Sequence, residues 1–312
     1  MVVTHRLDVR AGLIDAAVDH PFAVEPLGRR HHRLGIEREF QNVVRLDQFG
    51  SERARQEVAA RIGRMPQADV TEGVNDAFGH VSVRHPADPN RYLLSRSRSP
   101  LLVEPDDILE YKLDSEPVKR TSVRLYSERV IHGCIYQARS DVMAVCHHHA
   151  PAVMPFCVSG KPIVPVFHVG ATIGEQTPFW DQADEFGDTN LLVVKPEEGQ
   201  SLARTLGRHW VVLMRRHGAT VAGTTLKELV SRSIFLCQNA EYQMKAYLLG
   251  APAPLRPGEI KLAGSINAMP SVVARTWEYW SQRLQAGGLW PANVKAAVES
   301  AVKPVAEKKK RA

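Results

Sequence analysis

"SERVIHGCIYQARSDVMAVCHHHAP", residues 127–151, carries two periodicities in succession. Its first half, SERVIHGCIYQAR (127–139), sets Val130, Cys134, Ile135 and Ala138 at helical spacing on one face, with Ser127 placed to cap the amino end. Its second half, DVMAVCHHH, is a short apolar run of the kind that forms a buried strand. A helix that feeds directly into a buried strand is the repeating unit of an α/β protein.

The same alternation extends in both directions. ARQEVAARIGRM (54–65) has a helical pattern, GHVSVRHP and RYLLSRSRSP alternate as strands, and EPDDIL (104–109) reads as a turn. Downstream, APAVMPFCVSG predicts a helix with Pro151 near its first turn, and NLLVV (190–194) predicts a strand. PEEGQSLARTLGRH predicts a helix, WVVLMRRHGATVAG a strand pair or hairpin, and TLKELVSRSIFLCQNAEYQMKAYLLG a long helix closed by Gly250. The fold class expected is α/β, a central β-sheet flanked by helices. Three regions follow: a polar, Arg-rich arm over 1–54, a catalytic domain over 55–250, and a C-terminal part over 251–312. That last part holds a Pro-rich linker (APAPLRPGE), a helix (NAMPSVVARTWEYWSQRLQAG) and a basic tail.

With 312 residues, 44% of them hydrophobic, the chain can bury a substantial core. The formal net charge of +6 owes much to Lys303, Lys308, Lys309, Lys310 and Arg311 in the tail, so no nucleic-acid partner is expected. Cys134, Cys146, Cys157 and Cys237 form no C-x-x-C pair and read as reduced core residues of a cytoplasmic protein. No stretch approaches the ~20 apolar residues of a spanning helix, and the N-terminus lacks a secretory h-region, so no membrane is expected.

The chemistry concentrates at the strand end. Residues two apart on a strand share a face, so His147 and His149 project together as a two-imidazole claw while His148 points away. An H-x-H pair alone is also common surface decoration, and a catalytic metal site wants a third protein ligand. His217 is the candidate, because it too ends an apolar strand and precedes Gly218, which lets backbone pass close to a ligand. Glu128 is the natural acid/base partner; equally, it is a Glu that the helix macrodipole favours in a first turn. His132 does not fit H-E-x-x-H and reads as a structural, hydrogen-bonding histidine.

Taken together, GHVSVR, SERVIHGCIYQARSDVMAVCHHHAP and RRHGATVAG resemble the class II aldolase/adducin family over roughly residues 55–250. The resemblance implies a class II aldolase-like fold, usually a homotetramer with active sites between subunits. It implies that His147, His149 and His217 bind one divalent metal per subunit, zinc or else manganese, cobalt or iron, with Glu128 as acid/base.

The departures matter for the activity. Sugar-phosphate aldolases of the family have Asn in G-N-x-S, a Ser/Thr-Gly pair in the next loop, and Ser-Ser before the Glu. Here those places hold His80, Ser97-Arg98 and Tyr126-Ser127. Arg98 supplies a planar clamp suited to carboxylate, unless it is a surface residue alternating with Arg96. GHVSVR and SRSRSP resemble the decarboxylase branch, which acts on hydroxylated aromatic or pyridine dicarboxylates and carboxylated muconic semialdehydes. The implied reaction is loss of carbon dioxide from a small carboxylated substrate, such as a dihydroxyphthalate, through a metal-stabilised enolate. Ser97, Arg98 and Ser127 would bind the substrate, and Glu128, with His80 or Tyr126, would deliver the proton. A class II aldolase acting on a non-phosphorylated 2-keto-3-hydroxy acid and a non-catalytic adducin-like scaffold are the alternatives.

Overall fold

Strand pairing at the histidine cluster organises the sheet. β1 (His80–Arg84), β2 (Arg91–Ser95), β3 (Ile108–Lys112), β4 (Ala144–His148), β5 (Phe179–Trp180), β6 (Val211–Met214) and β7 (Gly218–Gly223) lie in the order β3-β2-β1-β4-β7-β6-β5. All neighbours are antiparallel except β5 and β6. This is a computed structural model, and it describes residues 73–288 apart from Asp76. The arm over 1–54, the helix expected over 54–65 and the basic tail lie outside the described residues.

Seven α-helices are present among the described residues: α1 (Arg129–Ala138), α2 (Met154–Ser159), α3 (Gln182–Phe186), α4 (Pro196–Leu206), α5 (Leu226–Leu249), α6 (Pro257–Asn267) and α7 (Pro270–Ala286). Register puts His80 opposite His147 and His147 opposite Thr220, so the three share one face of the sheet. The apolar residues of that face, Tyr92, Leu94, Tyr111, Val145, Val212 and Ala222, pack with Ile131 and Ile135 of α1 and Leu202 and Leu206 of α4. The opposite face, with Val81, Cys146, Leu213 and Val221, packs on Phe156 of α2, Leu229 and Ile234 of α5, and Trp280 of α7. The result is the expected sheet flanked by helices, with two cores divided by the pleat. All four cysteines are buried and none is in a disulfide among the described residues. No described helix is long and apolar enough to cross a membrane.

A buried arginine ties β1 to the helix layer. Arg84 donates from Nε to the Val142 carbonyl, from Nη1 to Pro89, and from Nη2 to Tyr136 and Arg139. These four carbonyls, two of them at the carboxyl end of α1, compensate the burial of its charge.

Several local expectations are corrected. Helix α1 is capped by Glu128, not Ser127: the Ile131 N–H bonds to the Glu128 carbonyl, and Ser127 is exposed. Ala138 is exposed as well, because the buried run Val130–Tyr136 lies between the sheet and α4 and is not a narrow stripe. NLLVV forms no strand. Its Val193 N–H goes to a Glu128 carboxylate oxygen and its Val194 N–H to Glu198, so side chains replace a neighbouring strand. Pro151 lies in the turn before α2, which starts at Met154 with Pro155 in its first turn. The linker is shorter than expected because Pro257 opens α6, where a missing N–H costs nothing. EPDDIL is a turn as read, with Asp107 accepting the Glu104 N–H, but β3 follows it at once.

Candidate metal centre

His147 is the penultimate residue of β4, and His149 lies one residue past its end. Their Nε2 atoms are 3.1 Å apart, which is the claw expected from period-two geometry. His217 does not end β6; it sits in the turn after Met214, directly before β7, where its N–H bonds to the Met214 carbonyl. Gly218 then lets β7 close on β4. A Cβ there would lie 2.4 Å from the His148 carbonyl oxygen and 2.8 Å from His149 Cδ2.

Glu128 reaches the same point from the start of α1. Its Oε1 is 3.5 Å from His217 Nε2 and its Oε2 is 3.7 Å from His147 Nε2. Oε1 also accepts the Val193 N–H at 3.0 Å, which fixes the carboxylate's orientation. One donor atom from each of Glu128, His147, His149 and His217 lies within 4.8 Å of the others.

Burial sets the charge state of this cluster. It holds His147 well below the usual imidazole range, with His217 and His149 adding to the effect. Burial also lowers His217, against the opposing pull of Glu128. Burial raises the Glu128 carboxyl, opposed by His217 and the Val193 N–H. The contacts are therefore neutral imidazoles near a carboxyl, at separations too long for good hydrogen bonds.

The donor set fits a divalent ion. His147 Nδ1 lies 3.1 Å from the Ala219 carbonyl and 3.3 Å from Thr220 Oγ1, so Nδ1 carries the proton and Nε2 presents a lone pair to the cluster. His149 Nε2, 3.1 Å from that lone pair, either donates a proton to it or shares a cation with it. Ligands held roughly 2.0–2.2 Å from one ion lie at most about 4.4 Å apart, so a slight contraction brings all four donors into range.

The other sequence-selected residues divide into two groups. His80 opens β1 beside the cluster, its ring centroid 5.3 Å from that of His147, and Tyr126 lies against His80 at 4.5 Å. The Tyr126 hydroxyl donates to the Arg98 carbonyl at 2.5 Å, which brings the Ser97-Arg98 backbone to the same side. Ser97 is half-buried, and its N–H bonds to Arg124. Arg98 Nη1 donates to Asp107 Oδ2 at 2.8 Å, while Arg96 Nε takes the other oxygen at 2.5 Å. The Ser127 side chain is exposed and joins no part of the cluster described above.

Sequence reading missed Asp107, Val193 and Thr220. Asp107 looked like an ordinary turn residue, and Val193 acts only through its backbone, which leaves no signal in residue type. Thr220 could have been found from its register opposite His147 once the hairpin was placed.

Residues 56–244 match the family profile described as Class II Aldolase and Adducin N-terminal domain. The chain belongs to the class II aldolase and adducin family. This family member is 32% identical over 239 residues to Decarboxylase tropJ of Talaromyces stipitatus, a match spanning 70% of this chain and 90% of that one. It is 25% identical over 195 residues to the 3,4-dihydroxyphthalate decarboxylase of Arthrobacter keyseri, spanning 58% and 73% of the two chains. In fold it is similar to the L-fuculose 1-phosphate aldolase of Glaciozyma antarctica PI12, with a TM-score of 0.64 at 19% identity over 79% of this chain and 97% of that one.

Proposed function

We propose that this class II aldolase-family protein is a carbon–carbon lyase of the carboxy-lyase type. Its substrate would be a hydroxylated aromatic dicarboxylate of the dihydroxyphthalate kind, or the corresponding ring-opened muconic semialdehyde. The observation that carries this reading is the meeting of one carboxyl, Glu128, with the three imidazoles of His147, His149 and His217. Relatives named as decarboxylases support the choice among the family's reactions. So does His80, at the place where sugar-phosphate aldolases have Asn.

His147, His149 and His217 would hold a divalent ion, with the His147 orientation fixed by Ala219 and Thr220. When bound, such an ion supplies Lewis-acid stabilisation of the electron pair left behind as carbon dioxide departs. Glu128 returns a proton to the carbon that lost the carboxylate, so the balance is carboxylate plus proton giving carbon dioxide and a C–H bond. With Oε1 tied to Val193, Oε2 is the oxygen left to carry that proton. Arg98 serves as the second-carboxylate clamp. Asp107 takes only Nη1, and among the described residues the rest of the guanidinium makes no hydrogen bond. We further propose a catalytic domain over 55–250, a cytoplasmic homotetramer, and a small-molecule substrate.

Carbon dioxide release from a panel of hydroxy-dicarboxylates, with elemental analysis of the purified protein, tests the reading. Metal-stripped protein should lose activity and regain it on adding back zinc or manganese. Full decarboxylase activity after stripping would refute it, release of an aldehyde in place of carbon dioxide would favour an aldolase, and absence of stoichiometric metal would favour a scaffold.

A further inference from the structure

A buried hydrogen-bonded chain runs from the edge of the candidate centre into the helix layer. His80 Nδ1 lies 2.6 Å from His132 Nε2, His132 Nδ1 lies 2.6 Å from Ser82 Oγ, and Ser82 Oγ lies 2.8 Å from the Tyr136 hydroxyl. His132 and Tyr136 are one turn apart on α1, while His80 and Ser82 are two apart on β1, so the two periodicities bring the four side chains together. His132 uses both ring nitrogens inside the chain, and Tyr92 stacks on its ring at 6.3 Å between centroids.

Such a chain has two possible directions, and its buried end selects one. Among the described residues the Tyr136 hydroxyl has one side-chain partner, Ser82. A buried phenol needs an acceptor for its proton, so Tyr136 donates to Ser82. Ser82 then donates to His132 Nδ1, and His132 donates from Nε2 to His80 Nδ1. Bare at Nδ1, the neutral His80 ring must carry its proton on Nε2, which makes no hydrogen bond to a described residue.

We infer that His132, Ser82 and Tyr136 are positioning residues that lock His80 as a neutral Nε2–H donor, aimed at an anionic oxygen of the substrate. Burial raises the Tyr136 phenol and lowers His132 to about 3, so the protons stay where they are and the chain holds an orientation without conducting. Tyr126, its ring centroid 4.5 Å from that of His80, packs against the ring and restricts its motion. The naming of a substrate oxygen rests on the decarboxylase reading above; the tautomer assignment does not.

The test is nitrogen-15 NMR of the full zinc-loaded protein carrying labelled histidine, with signals assigned by His80→Gln and His132→Gln. His80 and His132 should both show a protonated Nε2 and a bare Nδ1. Ser82→Ala and Tyr136→Phe should turn the single His80 tautomer into a mixture, and Ser82→Thr, which keeps the hydroxyl, should restore it. On a decarboxylated substrate, Ser82→Ala should lower kcat/KM roughly 10-fold with unchanged metal content, as removal of an orienting partner usually does. A wild-type His80 protonated on Nδ1, or a single Nε2–H form that survives in Ser82→Ala, would overturn the inference. If no substrate releases carbon dioxide, the proposed function falls, while the tautomer measurement still decides this one.

Discussion

Gly218→Ala should damage the candidate centre without touching a single donor atom. The added Cβ would lie 2.4 Å from the His148 carbonyl oxygen and 2.8 Å from His149 Cδ2, where ordinary contact begins at 3.4 Å. The shortfall is therefore about 1 Å, and it falls against backbone in the ladder that pairs His148 with Ala219. Neither strand is an edge strand, so the pair must open locally, at a cost near the upper end of overpacking, about 3 kcal/mol. For a domain of this size that corresponds to a fall in Tm of roughly 6–12 °C. Opening β7 from β4 also carries His217 away from His147 and His149, so metal affinity should drop at least about tenfold. Thermal unfolding in chelator measures the first effect, and elemental analysis after dialysis the second. Gly258→Ala is the control: it lies in α6 with no atom within 4 Å of the added carbon, and it should gain up to about 1 kcal/mol. A Gly218→Ala protein within about 0.5 kcal/mol of wild type and fully metal-loaded would refute the close-approach argument.

Three further outcomes are expected. His148→Ala should keep its metal while His147→Ala and His149→Ala lose theirs, because only the latter two share the donor face; equal loss in all three by elemental analysis would contradict the strand-end geometry. Glu128→Gln should keep its fold but lose roughly 10²–10⁴ in decarboxylation rate, and activity within a few-fold of wild type would remove Glu128 from the proton step. The third concerns acid stability. His132 is held neutral by burial at about 3 against an unfolded value of 6.5, so the unfolded chain binds the extra proton. Its contribution is fully present above pH 6.5 and is lost as pH falls toward the folded value, about 2 kcal/mol by pH 5. Denaturant unfolding at pH 7 and pH 5 should show a smaller difference in His132→Gln than in wild type.

What could be read from sequence was what local period controls. The facing of His147 and His149, the placing of His217 beside a glycine, and the helix before β4 follow from side-chain direction along a strand or helix. What could not be read depends on partners far away in the chain. NLLVV has a strand's composition, yet its amides were claimed by Glu128 and Glu198. In β3, Glu110 and Lys112 obscure the apolar pattern, and the two-residue β5 is too short to have one. Arg98 was legible as a candidate carboxylate clamp, but not as a guanidinium already paired with Asp107, because ion pairing leaves no periodic mark. His132 was read as a hydrogen-bonding histidine; that its partner is His80 follows only once β1 and α1 are docked.

The hairpin turn that presents His217 has a consequence for how the chain folds. His147 and His217 are brought together by the β4–β7 pairing, whose contacts lie more than seventy residues apart in the chain. An ion gripped by both would act as a removable crosslink across a loop of roughly seventy residues, restricting any unfolded state that still holds it by about 4 kcal/mol in chain-entropy terms. Refolding with the ion present would thus begin from a chain already looped at the centre of its sheet, and refolding in chelator from one that must find its least local strand pair unaided.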